Sequence, residues 1–393
     1  DYVIESFKKD KPYDQFLKEQ IAGDLLPDET KRDQAEKIVA TGFLAIGSKG
    51  HNNKDKRQFV MDMVDEQIDA TSQAMLGLTL ACARCHDHKF DPVTQRDYYA
   101  LAGIFLSSDT LFGTYKGIQN NNTSTLIELD RAAAQSSALA RISPSEVSQL
   151  KRNHDEAERE AREAQMEVLA ERKRSGGDRN PASSFLRVRG AQDRAENIRA
   201  DLDMFHDDGT PRTLAMGVLD KDRTINSPIF IRGDIKQPDE VVPRGLVEVL
   251  CAKGEPLTIS RGSGRLDLAY FIASKDNPLT ARVMANRVWL KLTGSGIVPT
   301  PDNFGLMGQK PTHPELLDYL AVSFMENGWS IKKLIREIML SRVYQTGSMH
   351  DMQNFAKDPD NKFRWRMNQR RLDAEAIRDS MLAVGGVLNL YPV

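Results

Sequence analysis

The sequence is poor in cysteine, with three thiols, Cys82, Cys85 and Cys251, in 393 residues. At most one bridge can form, so a disulfide-dense framework is excluded, and the count fixes no redox compartment. No apolar run approaches the roughly 20 residues needed to cross a bilayer, in keeping with a mean hydropathy of -0.48. Neither sign of charge dominates. Lys plus Arg total 54 against 56 Asp plus Glu, for a formal net charge of -2. No global field therefore gathers nucleic acid or an anionic membrane. The chain has no internal repeat and no basic start followed by an apolar cleavage segment. Its opening, DYVIESFKKDKPYDQFLKEQIAGDLL, is already amphipathic and lacks an initiating Met. An export signal and further sequence are expected upstream, and the abrupt LNLYPV raises the same expectation for the far end.

What is present is globular usage, 40% apolar and 28% charged, long enough for two or three cores at roughly 150 residues each. Residues 1–45 predict helices broken near Pro27, because Tyr2, Ile4, Phe7, Tyr13, Phe16, Leu17, Ile21 and Leu25 recur mostly three to five apart. Lys49–Arg57 is a basic loop. Val64, Ile68, Thr71, Met75 and Leu78 trace a helical stripe running toward Cys82, and Thr94 with Asp97 announces a capped helix after it. Residues 114–126 read as loop, and the charged run from Ser145 as a solvated helix or arm with opposite charges three and four apart. From Ser184 to Leu268 the text changes to short extended runs, Phe185–Val188 and Pro228–Arg232, punctuated by Gly, Pro and Asp. Helical signals return from Leu266, with starts at Thr312, Ser330 and Asp373. The fold class is mainly α-helical and multi-domain, with a small β or irregular element between two helical regions and a seam within 110–200.

The sharpest chemistry lies in ACARCHDHKFDP, where Cys82, Cys85 and His86 form Cys-x-x-Cys-His. That spacing suits covalent c-type haem attachment: two thiols three apart each form a thioether with a porphyrin vinyl group, and the adjacent imidazole reaches the iron. The second ring nitrogen then needs a partner, such as a nearby backbone carbonyl, to fix the tautomer. Two other readings use the same residues. One is a redox or structural thiol pair. The other is a zinc or iron site drawing on Cys82, Cys85, His86 or His88 with Asp87 or Asp91. His88 reads as a supporting or surface group. Candidates for a sixth iron ligand are Met61, Met63, Met75, His51, His206 and His313, although a stripe residue such as Met75 belongs more naturally to a core.

Weaker constellations lie elsewhere. Arg282, Asn286 and Arg287, and Arg364, Arg366, Arg370 and Arg371, read first as an ion-pair network joining C-terminal helices, with binding of carboxylates, sulfated sugars or haem propionates as the functional alternative. Asp234, Asp302 and the His313–Glu315 turn are candidate acid-base groups.

Long ordered strings support a family resemblance. KPYDQFLKEQIAGDLLP, ATGFLAIG and MVDEQIDATSQAMLGLTLACARCHDHKFDPVTQRDYYALAGIF lie in the first half. RGDIKQPDEVVPRG, SGRLDLAYFIASKDNPLTARVMANRVW, the stretch from GIVPTPDNFG to LSRVYQ and FRWRMNQRRLDAEAIRDSMLAV lie in the second. The chain resembles the planctomycete-type secreted cytochrome-like proteins that pair a PSCyt2 (DUF1549) with a PSD1 (DUF1553) domain. The resemblance implies a helical cytochrome-like domain at 1–115 truncated at its start, a linker with the solvated helix at 116–200, and a mainly helical PSD1-like domain at 201–393. It implies export to the periplasm or outside the cell, a setting in polysaccharide catabolism, and haem residues at Cys82, Cys85 and His86. Together these give the expectation of an extracytoplasmic c-type haem protein that passes electrons to a redox partner, with a carbohydrate ligand possible and no nucleic acid partner. The alternatives are an enzyme on an extracellular polymer that uses non-haem zinc, iron or calcium, and a structural or carbohydrate-binding protein without haem.

Overall fold

The computed structural model describes residues 1–116, 120–131, 139–174, 182–251, 259 and 261–390. Packing divides the chain into two units, 1–280 with 305–307, and 281–304 with 308–393. This packing division falls at 280/281. Among the described residues the secondary structure is mainly α-helical, with three two-stranded antiparallel ladders.

The first unit opens with α1 (Tyr2–Lys8), α2 (Tyr13–Ala22) and α3 (Lys31–Ala40), the last two separated by the Pro27 break. Next comes α4 (Lys56–Thr71), N-capped by Asp55. Its stripe of Val64, Ile68, Thr71, Met75 and Leu78 is buried throughout, but the helix does not reach Cys82. It widens to a π turn over Ser72–Leu76 and stops at Gly77, whose φ of 62° only glycine adopts without cost. The Gly77 and Leu78 amides both turn back to the Ser72 carbonyl. Helix α5 (Gln95–Leu106) starts with the full Thr94–Asp97 capping box.

Strands β1 (Ser108–Leu111), β2 (Ile127–Glu128), β3 (Leu214–Ala215), β4 (Gly217–Asp220), β5 (Ser227–Phe230) and β6 (Pro238–Val242) pair as β1–β4, β2–β3 and β5–β6. Between β2 and β3 lie α6 (Pro144–Arg174) and α7 (Ala182–Leu202). Phe185–Val188 is therefore helical and not extended. A four-residue apolar run has no decisive period, and the Ala-, Arg- and Glu-rich sequence after it favours helix. The two helices run antiparallel, with ion pairs from Arg187 to Glu167 (2.9 Å) and from Arg194 to Glu160 (3.0 Å).

Helix α8 (Arg265–Ile272) packs against α2. Its first residue, Arg265, is 0% exposed. The guanidinium makes a two-pronged bond to Asp24 (2.7 and 2.6 Å), reaches Asp220 at 2.6 Å, and donates to Ser108 Oγ and the Ile21 carbonyl. This fork geometry satisfies a buried arginine that would otherwise be very costly.

The second unit comprises α9 (Thr280–Thr293), α10 (Pro314–Glu326), α11 (Ile331–Leu340), α12 (Met352–Lys357) and α13 (Ala374–Val384). Its core includes Val283, Trp289, Ile297, Leu320, Phe324 and Leu334. Ser330 and Asp373 cap α11 and α13 by accepting from the Lys333 and Ala376 amides. Thr312 does not cap α10. Pro314 at the first turn moves the cap to His313, while the Thr312 hydroxyl donates to the Ile297 carbonyl. In the arginine-rich segment two side chains bond carbonyls, Arg364 those of Ser295 and Gly296 and Arg370 that of Lys291, while Arg366 stacks on Trp365. Only Arg282–Asp318 (2.7 Å) and Arg287–Asp302 (2.9 Å) of that set are ion pairs among the described residues.

Candidate functional site: the Cys82–His86 turn

Ala81–Arg84 forms a single 3-10 turn; Cys82 within it, Cys85 at its C-cap and His86 just after all stand exposed, with both thiols free. The two residues between the cysteines point the other way, and Ala83 is fully buried. Arg84 turns inward, pairing with Asp62 (3.0 Å) and Asp65 (3.1 Å) on α4. Burial alone would lower its pKa; the hydrogen bond it donates to Asp62 and the charge of Asp65 more than reverse that. Its carbonyl is held as well, accepting from Gln95 Nε2 (3.1 Å) and from the Tyr99 hydroxyl (2.9 Å) on α5. Gln95 also donates to the Phe230 carbonyl at 3.2 Å, tying the turn to the end of β5. Burial pushes the Tyr99 phenol up to about 12, so it remains a neutral donor. Tyr98 donates to Asp65, and its ring meets Tyr99 edge-on at 5.1 Å.

A second wall closes on Cys85. The turn after β5 carries two successive left-handed residues, Arg232 (φ 55°) and Gly233 (φ 74°). Gly233 lies so near that a β-carbon there would sit 2.8 Å from Cys85 Sγ. Two partly exposed apolar side chains, Phe90 and Ile231, belong to these same two segments.

His86 Nδ1 lies 2.7 Å from the Asp87 carbonyl. A carbonyl only accepts, so Nδ1 carries the proton and Nε2 presents its lone pair outward. His88 is different and is not a surface group. Its side chain is 6% exposed, and Nδ1 accepts from the Asp91 amide at 2.9 Å and lies 3.4 Å from the Phe90 amide. Asp91 in turn accepts from the Leu306 amide at 2.6 Å, while the Asp87 carboxylate accepts from the Gln95 amide at 2.7 Å. His88 and Asp91 thus fasten the loop that carries the exposed triplet.

The other candidates lie elsewhere. Met61 and Met75 are buried in the core. Met63 is half-buried on α4, His51 packs on Phe59 and Phe112, and His206 lies beside Glu128. His313 begins α10 in the second unit. Asp234 closes its own turn, accepting from the Lys236 amide and Gln237 Nε2, which hold its carboxyl below the usual range. Asp302 is taken up by Arg287. Among the described residues no group of three or more His, Cys, Asp or Glu is placed to hold a metal ion.

The supporting residues Arg84, Gln95, Tyr99 and Gly233 were not legible as site residues. Only the glycine in IRGD, at a turn between extended runs, gave a hint.

No curated protein and no solved structure matches the chain. Family comparison matches residues 1–110 to PSCyt2, "Protein of unknown function (DUF1549)", and residues 264–392 to PSD1, "Protein of unknown function (DUF1553)". The chain belongs to the proteins that pair these two domains.

Proposed function

We propose that the Cys82–His86 turn is a covalent haem-attachment site and that the protein is an extracytoplasmic electron carrier. One observation carries the reading: two free, outward thiols share a turn with an outward imidazole whose Nδ1 is bonded to the Asp87 carbonyl. The donor set fits the group. Cys82 and Cys85 would each add an S–H across a vinyl group, forming one C–S bond apiece, and His86 Nε2 would face the iron with its tautomer already fixed. Haem supplies one-electron chemistry when bound. The chain's own part is to hold the turn: Arg84 anchors it inward, Gln95 and Tyr99 fix its backbone, and Gly233 limits the room beside Cys85. Such attachment takes place outside the cytoplasm, which makes the periplasm or exterior the proposed location and a redox protein the proposed partner.

The test is the full chain produced by export in a host with haem-attachment machinery. Expected is a pyridine haemochrome spectrum of the c type, with haem retained through acid-acetone extraction and lost in Cys82→Ser/Cys85→Ser. Protein that leaves that host with both thiols open to alkylation, or joined in a disulfide, overturns it.

A further inference from the structure

We propose that a groove on the first unit, between α4, the end of α5 and β1, binds a small amphipathic carboxylate. It shares no residue with the Cys82–His86 turn and does not depend on haem. The cavity is about 430 Å³, within the range of about 300–1,000 Å³ typical of small-molecule sites. Val60 and Met63 from α4, Leu106 from α5 and Leu111 from β1 line it, and each is only half-buried. Isolated exposed apolar residues need no explanation, but Val60, Met63 and Leu106 converge on one concavity as an open apolar wall, completed by Leu111, which also packs against the Ala35–Ile127–Leu129–Ala215 cluster. Buried Phe59, Val64, Phe105 and Phe112 back that wall, so it cannot easily collapse.

The mouth is held open by hydrogen bonds. Asn121 donates its amide to the His51 carbonyl (2.8 Å), and Asn122 Nδ2 reaches the His51 and Asn53 carbonyls (3.2 and 2.8 Å). Thr114 and Ser124 bond reciprocally through their backbones, and Ser124 Oγ accepts from the Phe112 amide at 3.1 Å. The site is therefore preformed, and little ordering cost falls on binding.

Charge at the rim selects the head group. Lys56 makes no ion pair with any described residue, and Lys221 donates to the Leu106 carbonyl at 2.9 Å while lying 3.6 Å from Asp109. The two ammonium groups outnumber the one carboxylate. An apolar body against Val60, Met63, Leu106 and Leu111, with one carboxylate reaching Lys56 and Lys221, satisfies both halves of the groove.

Calorimetric titration of the full chain with octanoate tests this. The expected result is saturable binding at one site, about tenfold weaker in Lys56→Gln/Lys221→Gln and about tenfold weaker again for uncharged octanol on the native chain. Met63→Trp, which fills the cavity, should abolish it. Lys56→Gln alone, at an exposed rim position, serves if the larger changes disturb folding, and should weaken binding about threefold. Absence of saturation, equal affinity for octanol, or unchanged affinity in Lys56→Gln overturns the assignment.

Discussion

Gly233 and the Cys85 thiol are in such close approach that a single added methyl would occupy the space beside the sulfur, 2.8 Å away. With φ at 74°, position 233 also disfavours any side chain on backbone grounds. Gly233→Ala should therefore destabilise the protein by about 1–3 kcal/mol. Part of the cost comes from contact with Sγ, so the same substitution should cost less in a Cys85→Ala background, leaving only the backbone strain. Urea unfolding of the four-member cycle measures the difference; equal costs in both backgrounds would show that the sulfur contact is unimportant.

Arg84 should act on the shape of the turn more than on global stability. Asp62 and Asp65 are partly exposed, so loss of the pairing in Arg84→Met should cost only about 1 kcal/mol. Release of the turn should instead change the relative alkylation rates of Cys82 and Cys85, read by peptide mass spectrometry under native conditions. Unchanged rates would remove Arg84 from the site's framework.

Arg265 is a fully buried charge held by two carboxylates, so it should tolerate substitution poorly. Arg265→Ala strands the Asp24 and Asp220 carboxylates in a buried setting and should cost about 3–5 kcal/mol. Arg265→Met, which also leaves the carboxylates unpaired, should not rescue it, whereas combining Arg265→Met with Asp24→Asn and Asp220→Asn should recover part of the loss. Thermal unfolding of the three variants gives the ordering.

The same cluster predicts an acid limit. Burial would raise the Asp220 pKa, but the Arg265 charge and hydrogen bonds from Ser263 and Arg265 overcome it and hold the carboxyl below its ordinary value. Stability from this group is thus complete above about pH 4, the unfolded carboxyl range, and drains away as pH falls through the lower folded value. The gap in unfolding free energy between the native chain and Asp220→Asn should be constant from pH 7 to about 5 and narrow below about 4. A gap that widens in acid would contradict the sign.

Much of the helical fold could be read from spacing and caps. Thr94–Asp97, Ser330 and Asp373 start helices because their side chains bond amides a turn ahead, a local rule that leaves a local trace. The α4 stripe was equally visible, but its end was not, since only the conformation of Gly77 separates a stop from a tolerated glycine. Phe185–Val188 misled because four apolar residues fit either period. At the site, the Cys-x-x-Cys-His triplet was plain from residue type, whereas its frame joins residues as far apart as Gln95 and Phe230. No sequence period records a hydrogen bond across that separation. The inward turn of His88 depended in the same way on the Asp91 amide and on a loop fixed from Leu306.

Arg265 stands at the beginning of the stretch matched to PSD1, while Asp24 lies deep inside the stretch matched to PSCyt2. The boundary drawn by ancestry and the boundary drawn by folding therefore disagree by one short helix. A gene split anywhere between the two matches would send the guanidinium to one product and Asp24 to the other. Each product would then hold an unpaired charge shaped for a partner on the other, so the two segments are joined by a physical tie as well as by the chain.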